Sequence, residues 1–222
     1  MTIDGPAGSG KSTIAGALAT ALGVPHVDTG AYYRAATLAV LRAGVSPGDP
    51  AACERVVTRA DIRRVGVRTF LDGEDVEEEI RGPAVTAAVS SVSRHRDVRR
   101  ALLTRQREQI SSVGAVVEGR DAGTVVAPEA PLKIWLTATP QERAARRAAQ
   151  LGEGDREAVE RHAADIARRD AADASQMAQS PDAVKLDTTG RSVPDLVAEI
   201  ASLVDDRMGG SSAQQRGTRG GE

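Results

Sequence analysis

The sequence predicts an α/β fold in which a parallel β-sheet is flanked by helices. Short apolar runs alternate with stretches of helical periodicity along the 222 residues. A glycine-rich segment, residues 5–12, follows the first apolar run and leads into an amphipathic helix. Glycine and charged residues also come directly after two further apolar runs, where strands are expected to end. Together these observations indicate one α/β domain, a size that 222 residues allow.

Residues 5–12 read GPAGSGKS and match the phosphate-binding loop pattern G-x-x-x-x-G-K-[ST] at every fixed position. Glycines let backbone N–H groups turn toward phosphate oxygens, and the following helix presents its positive end to the same anion. Lys11 is spaced to reach the β- and γ-phosphates, and the Ser12 hydroxyl to bind Mg²⁺. We therefore predict a nucleoside triphosphate site that is formed by Gly5, Ala7, Gly8, Ser9, Gly10, Lys11, Ser12 and Thr13.

The periodicity predicts each element in turn. The first helix is expected over residues 13–22, and its apolar face is expected to hold Ile14, Ala17, Leu18, Ala21 and Leu22. Further helices are expected over residues 31–43, 51–58, 83–93, 98–110, 140–150, 156–172 and 193–204. Strands of the sheet are expected over residues 1–4, 24–28, 115–117, 132–136 and 183–187.

Two segments depart from this alternation. Residues 62–76 read as short antiparallel strands with an Asp72-Gly73 turn, which indicates an insertion into the α/β chain. Residues 209–222 are rich in Gly, Ser and Gln and almost free of apolar side chains. We expect them to form a disordered tail.

Composition excludes several classes of protein. The formal net charge of −2 argues against general nucleic-acid binding, because no global positive field attracts a polyanion. Cys53 is the only cysteine, which excludes an intramolecular disulfide and a cysteine-based zinc site. No apolar run approaches the roughly 18 residues that span a bilayer. The first strand runs directly into the phosphate loop, so cleaving it as a signal would destroy that site. We expect a cytoplasmic monomer that binds neither nucleic acid nor membranes.

Two more segments follow predicted strands. The first reads DTGAYYR over residues 28–34, and the second reads VEGRDAGT over residues 117–124. The carboxyl ends of parallel strands are where α/β proteins bind ligands, and Arg34, Arg120 and Asp121 are placed to face such a cleft. Each segment also has a simpler interpretation, a helix cap with a surface arginine for the first and a surface ion pair for the second.

Arginines are abundant on the helices predicted over residues 140–150 and 156–172, which a Gly-Glu-Gly-Asp break joins. Six of these arginines form a cluster: Arg143, Arg146, Arg147, Arg161, Arg168 and Arg169. Spacings of three and four residues place several on a common helical face. Some of them are expected to form ordinary surface ion pairs. The pair of helices is also typical of a mobile lid that closes positive charge over transferring phosphates.

Taken in order, these segments resemble the bacterial cytidylate kinases. GPAGSGKST, DTGAYYR, LDGEDV with EEIRGP, EGRDAGTVV and RRDAAD carry the resemblance, which covers about residues 1–205. It implies a P-loop NTPase fold, with an inserted nucleoside-monophosphate-binding subdomain and a short helical lid. The core is expected over residues 1–34, 111–145 and 183–208, the insertion over about 35–110 and the lid over about 146–176.

The resemblance implies transfer of the γ-phosphoryl group of ATP, with Mg²⁺, to CMP or dCMP, giving ADP and CDP or dCDP. Lys11, Arg120 and Arg169 are the implied catalytic residues, and Ser12 the metal ligand. In the implied acceptor site, Asp121 accepts from the cytosine amino group and Asp173 faces the ribose hydroxyls. The implied acceptor-binding residues are Thr29, Tyr33, Arg34, Ser90, Arg99, Arg120, Asp121, Arg169 and Asp173.

Three departures from that family and three alternatives remain at this point. The first strand is unusually short, and Gln176 stands where the family normally has arginine, in a segment that is itself shortened. Ala127 precedes Pro128 where an aromatic residue is commoner. The alternatives are a P-loop kinase for another small acceptor, a GTP-dependent switch, and a weakly active or non-catalytic homologue with an altered lid. A GTP-dependent switch needs a guanine-reading N-K-x-D motif, and the chain contains no asparagine. The pair Arg99 and Asp121 favours a cytosine-binding kinase over the other small acceptors.

Overall fold

The central sheet consists of five parallel strands. A computed structural model describes residues 1–111 and 113–214. The strands are β1 (Thr2–Asp4), β2 (His26–Asp28), β6 (Val116–Gly119), β7 (Lys133–Thr137) and β8 (Val184–Asp187). Their order across the sheet is β2-β6-β1-β7-β8. Eight helices are described: α1 (Lys11–Leu22), α2 (Thr29–Arg42), α3 (Pro50–Arg59), α4 (Pro83–Ser93), α5 (Arg96–Glu108), α6 (Pro140–Gln150), α7 (Arg156–Asp173) and α8 (Val193–Gln214). This arrangement confirms the predicted α/β class. Every predicted strand and helix is present within a few residues of its expected bounds, except that α8 extends ten residues past its predicted end at residue 204.

Strand β1 is only three residues long but lies at the centre of the sheet. It pairs with β6 on one side and with β7 on the other, so its backbone groups are satisfied in both directions. Thr2 and Ile3 are completely buried. A very short strand is stable here because each of its residues lies inside the sheet.

Helices α1 and α8 cover one face of the sheet. Ile14, Leu18, Leu196 and Ile200 pack there with Ile134 and other strand residues in one apolar cluster. The predicted apolar face of α1 was partly wrong, because Ala21 is exposed while Ala15 and Ala19 are buried. The helix packs against both the sheet and α8. The small side chains of Ala15 and Ala19 therefore turn inward, where they allow close approach.

The segment between α2 and β6 builds a second apolar cluster around a small antiparallel sheet. This sheet has the order β3-β4-β5, with β3 at Ile62–Val65, β4 at Arg68–Leu71 and β5 at Glu74–Asp75. Asp72 and Gly73 both have positive φ, 51° and 87°, as the predicted two-residue hairpin turn requires. Helix α2 begins at the central sheet and packs its buried face into this cluster, so it links the two parts of the chain.

Helices α6 and α7 pack against each other and are joined by residues 151–155. Thr139 and Asp155 cap their amino ends by accepting hydrogen bonds from Glu142 N and Ala158 N.

The backbone of α8 continues past Gly209, where the sequence predicted a disordered tail to begin. Helix propagation adds one hydrogen bond for each residue that joins, and the six residues from Gly209 to Gln214 include no proline to stop it. The rest of the predicted tail, residues 215–222, lies outside the described residues. No described helix is both long enough and apolar enough to cross a bilayer.

The packing of α8 on the sheet predicts a large difference between two leucine-sized truncations. Ile200 is completely buried, whereas Leu151 at the end of α6 is 48% exposed. We expect Ile200→Ala to lower the free energy of unfolding by about 2–4 kcal/mol, since it leaves a cavity. Leu151→Ala should change it by less than about 0.5 kcal/mol. Urea unfolding followed by circular dichroism measures both, and equal effects would contradict the described position of α8.

Candidate active site

One cavity lies beside the carboxyl ends of β2 and β6, and its lining also includes Lys11 of the glycine-rich loop, which follows β1. All nine residues predicted for the acceptor line this cavity: Thr29, Tyr33, Arg34, Ser90, Arg99, Arg120, Asp121, Arg169 and Asp173. They come from the two strand ends and from α2, α4, α5 and α7. The fold thus brings together residues that are as far apart as 29 and 173 in the sequence.

The glycine-rich loop needs its glycines for backbone conformation and for space. Gly5, Gly8 and Gly10 have φ of +151°, +74° and +89°, which side chains disfavour. A Cβ on Gly5 would lie 2.3 Å from the carbonyl oxygen of Leu136 in β7. The Lys11 ammonium donates to the Pro6 carbonyl at 2.7 Å, across the same loop. Burial and the neighbouring Arg120 lower the pKa of Lys11 to about 7, although Glu118, Asp4 and Asp170 oppose this shift.

Ser12 at the start of α1 donates a hydrogen bond of 2.6 Å to Glu118 Oε1 at the end of β6. The other oxygen of Glu118 lies 2.7 Å from His26 Nε2. Burial raises the pKa of Glu118, but His26, Ser12 and Lys11 outweigh it and hold the pKa below its ordinary value. A serine hydroxyl at the end of the glycine-rich loop therefore lies beside an ionised carboxylate of β6, which is an arrangement of oxygen ligands that suits Mg²⁺.

Asp4 joins the glycine-rich loop to the turn that follows β6. Its two carboxylate oxygens accept hydrogen bonds of 2.8 Å from Ala122 N and Gly123 N. These are the first residues of a short π-helical turn, Ala122–Val126. Burial raises the pKa of Asp4 to about 6, against the opposing effect of the two N–H donors. The Arg120-Asp121 segment is therefore held in a defined position next to the loop.

Asp121 forms an ion pair with Arg99 of α5, and the Arg99 guanidinium lies 5.3 Å from the centre of the Tyr33 ring. Burial raises the pKa of Asp121, and Arg99 opposes that shift. Ser90 lies close by on α4 and is buried. The pair places a carboxylate acceptor beside guanidinium donors at one end of the cavity.

Arginines concentrate positive charge in the rest of the cavity. Arg34 donates to the Ile80 carbonyl at 3.0 Å and to Thr86 Oγ1 at 3.1 Å. Burial, followed by repulsion from Arg169 and Arg81, lowers the pKa of Arg34 to about 10. Burial and Arg120 likewise lower the pKa of Arg169. Buried cations that repel one another favour an anion among them, and phosphate matches the planar guanidinium.

Helix α7 is linked to the glycine-rich loop by one direct hydrogen bond and, indirectly, by ion pairs with Arg120 and Arg143, which donate to loop carbonyls. Arg120 Nη2 lies 3.1 Å from Asp173 Oδ2, and Arg120 Nη1 donates to the Gly5 carbonyl at 3.2 Å. Asp170 of the same helix accepts a hydrogen bond from Ala7 N at 3.2 Å and one from Arg143. The predicted lid helix thus lies directly against the loop.

Gln176, which stands in place of the family's arginine, also lines this cavity. Its Oε1 accepts from Ser93 Oγ at 3.1 Å, and its buried Nε2 has no hydrogen-bond partner within the described part of the chain. The position therefore keeps a donor at the cavity but contributes no charge.

Comparison with known proteins agrees with this geometry. The family model described as Cytidylate kinase matches residues 1–206. The chain belongs to the cytidylate kinase family. A cytidylate kinase of Mycolicibacterium paratuberculosis is 47% identical over 217 residues, covering 93% of this chain and 95% of that protein. A cytidylate kinase of Symbiobacterium thermophilum is 45% identical over 213 residues, covering 90% and 93% of the two chains. Phosphoryl transfer from ATP to CMP or dCMP is the activity expected of such a protein.

Three carboxylates of the site were missed in the sequence. Glu118, Asp4 and Asp170 each contact the glycine-rich loop or the segment beside it, as described above. Glu118 and Asp4 are charged residues at the ends of apolar strands, and that pattern could have identified them. Asp170 gave no such signal, because it lies in a helix that is rich in both acids and arginines. Glu118 contacts Ser12, Asp4 holds the turn that follows Asp121, and Asp170 lies 3.6 Å from Arg120.

The raised pKa of Asp4 predicts a pH dependence of stability. A folded-state pKa of about 6 against an ordinary 3.8 means that the folded chain binds this proton more tightly than the unfolded chain. The resulting stability is fully present below the unfolded pKa and is lost as pH rises through the folded pKa. Relative to Asp4→Asn, the wild-type free energy of unfolding should therefore fall by about 2 kcal/mol between roughly pH 4 and pH 7.

Urea unfolding at several pH values measures this difference. A constant offset between the two proteins carries no information, and only its change with pH counts. The same substitution at the exposed Asp97 is the control and should track the wild type. A difference between wild type and Asp4→Asn that does not change with pH would contradict the assignment.

Proposed function

We propose that this protein transfers the γ-phosphoryl group of Mg²⁺-bound ATP to CMP or dCMP by in-line displacement within the single cavity described above. The observation that carries this proposal is that Lys11 of the glycine-rich loop and the Arg99–Asp121 pair line the same cavity. The loop suits a triphosphate, and the pair suits one edge of cytosine. A phosphoryl group can move directly between two nucleotides that are bound in this way.

On the donor side, backbone N–H groups of residues 7–13 would bind the phosphates of ATP, with the start of α1 behind them. Lys11 would donate to the β- and γ-phosphates. Mg²⁺ would be held by Ser12, with Glu118 accepting from Ser12 or from metal-bound water. Mg²⁺ in such sites takes one or two protein oxygens and completes its shell with phosphates and water, which fits the two oxygens present here. When bound, it neutralises charge that develops on the phosphates.

On the acceptor side, Asp121 would accept from the amino group of cytosine, and Arg99 would donate to its ring nitrogen or carbonyl oxygen. Uracil presents an acceptor where cytosine presents the amino donor, so the Asp121 carboxylate would face an oxygen. A buried polar group left unpaired discriminates strongly between such bases. Ser90 and Tyr33 would complete the wall around the base, and Asp173 would bind the ribose hydroxyls.

The remaining cations would bind the two reacting phosphates, Arg34 and Thr29 that of CMP, and Arg120 and Arg169 the group in transfer. An oxygen of the CMP phosphate bonds to the γ-phosphorus as the bond to the β–γ bridging oxygen breaks, and ADP leaves. The attacking oxygen is already anionic, so alignment and neutralisation of charge suffice without a strong base. We assign closure over the acceptor to about residues 35–110, and exclusion of water to the lid of about residues 146–176.

We further propose that the protein acts as a cytoplasmic monomer, since one chain supplies residues for both nucleotides. The alternative of a weakly active or non-catalytic homologue rests on Gln176. The amide of Gln176 faces the same cavity, and Arg34, Arg120 and Arg169 keep positive charge there. We therefore expect turnover with CMP.

A coupled assay of ADP release with CMP, dCMP, UMP, AMP and GMP tests the function. We expect CMP and dCMP to be the best acceptors. Lys11→Ala should reduce their turnover by about 100-fold or more, because the positive charge of the lysine beside the transferring group is lost. A preference for AMP, or near-normal turnover by folded Lys11→Ala, would overturn the proposal.

The same panel tests how the base is recognised. Asp121→Ala should lower kcat/KM for CMP by about 10- to 100-fold, the value of a charge-assisted hydrogen bond, and should shrink the preference for CMP over UMP. Asp97→Ala, an exposed aspartate on the same helix as Arg99, is the matched control and should leave both values unchanged. An unchanged CMP/UMP ratio in Asp121→Ala would refute this role.

A further inference from the structure

The carboxylate of Asp170 lies against three donors that come from three different parts of the chain. The backbone N–H of Ala7 in the glycine-rich loop donates to Oδ1 at 3.2 Å. Arg143, in the first turn of α6, donates to Oδ2. Arg120, which follows β6, has a guanidinium nitrogen 3.6 Å from Oδ1. Asp170 is itself largely buried, with 17% of its side chain exposed.

These donors form a binding site for an anion. The Ala7 N–H belongs to the loop whose N–H groups are expected to bind phosphate, and two guanidinium groups approach from other elements. Arg143 lies so close to the loop that a Cβ on Gly8 would be 3.0 Å from Arg143 Cβ. A hydrogen bond of 3.0 Å from Arg143 Nη1 to the Ala7 carbonyl holds it there. Asp170 supplies negative charge at a place where one N–H and two guanidinium groups favour it.

A second observation indicates that the site suits a larger anion than a carboxylate. Arg143 Nε is buried and has no hydrogen-bond partner within the described residues. Asp170 has two oxygens, and both already accept hydrogen bonds. A phosphoryl group has three equatorial oxygens, which allows it to accept from more of the donors gathered here.

We propose that Ala7 N–H, Arg120 and Arg143 form the subsite of the transferring phosphoryl group, and that the Asp170 carboxylate competes with that group for the subsite. This inference rests on the proposed function and adds Arg143 to the catalytic residues. It also gives α7 a second role. The helix supplies Asp173 to the acceptor and Arg169 to the group in transfer, while Asp170 holds it on the glycine-rich loop until a phosphate takes its place.

Competition of this kind lowers the apparent affinity for the donor. The nucleotide binds only when Asp170 has left, so the apparent dissociation constant equals the intrinsic value divided by the fraction of molecules with Asp170 displaced. A neutral amide at position 170 keeps the size of the side chain but weakens its bonds to both arginines. The donor affinity should then increase.

A positioning role for Asp170 predicts the opposite change in donor affinity. If Asp170 served to orient Arg120 and Arg143 while ATP is bound, removing its charge would leave those arginines less well placed. Asp170→Asn would then bind the donor no better, or more weakly. The sign of the change in affinity therefore separates competition from positioning.

Isothermal titration calorimetry with the non-hydrolysable analogue adenylyl imidodiphosphate and Mg²⁺, and with inorganic tripolyphosphate, tests the proposal. We expect Asp170→Asn to bind both probes about 10-fold more tightly than the wild type, the value of one charge-assisted contact. Asp165→Asn, on the exposed side of the same helix beside Arg168, is the matched control and should bind like the wild type. Unchanged or weaker binding by Asp170→Asn, with its thermal unfolding intact, would overturn the proposal.

Arg143→Gln provides the second arm. It should bind tripolyphosphate about 10-fold more weakly and lower kcat more than it raises the KM for CMP, because the group acts on the transferring phosphoryl. Normal tripolyphosphate binding by folded Arg143→Gln would remove Arg143 from the subsite.

These binding measurements need no acceptor. Wild type that fails to phosphorylate CMP would contradict the proposed function, whereas failure of the binding changes in an active enzyme would contradict only this inference.

Discussion

The carboxylate of Asp4 at the end of β1 joins the two halves of the site. The backbone of Asp4 continues into Gly5 and the glycine-rich loop. The side chain of Asp4 accepts hydrogen bonds from Ala122 and Gly123, which directly follow Arg120 and Asp121. β1 is in turn held between β6 and β7. The three residues of β1 therefore set the distance between the glycine-rich loop and the segment that carries Arg120 and Asp121. In-line phosphoryl transfer requires the distance between the two reacting groups to be held within a few tenths of an ångström.

Buried cations that repel one another are the second feature of this cavity. Lys11, Arg34 and Arg169 have lowered pKa values because burial and neighbouring cations disfavour their charges. Phosphates entering the cavity would relieve this cost, so part of the binding energy is stored as mutual repulsion among the cations. Asp170 and Asp173 partly neutralise the cluster from α7. Entry of a phosphate would therefore change the charge that Asp170 and Asp173 of α7 balance.

Local patterns predicted most of the fold, and the nine residues predicted for the acceptor all line one cavity. The glycine-rich loop, the strand ends and the Asp72-Gly73 turn each have a local signature, because backbone conformation there depends on particular residues. The buried side of α1 was predicted only in part, since Ala15 and Ala19 turn inward for reasons of close packing with α8 and the sheet. Glu118, Asp4 and Asp170 were missed because their partners are distant in sequence and only the fold brings them together.

The central claim is that the loop and the cytosine-reading pair form two ends of one site. Binding of P1-(5′-adenosyl)-P5-(5′-cytidyl) pentaphosphate, a single molecule that carries both nucleosides, tests it most directly by calorimetry. The account predicts one molecule bound per chain, far more tightly than ATP or CMP alone, with binding weakened by Lys11→Ala and also by Asp121→Ala. Binding that Lys11→Ala weakens while Asp121→Ala leaves it unchanged would contradict a shared site.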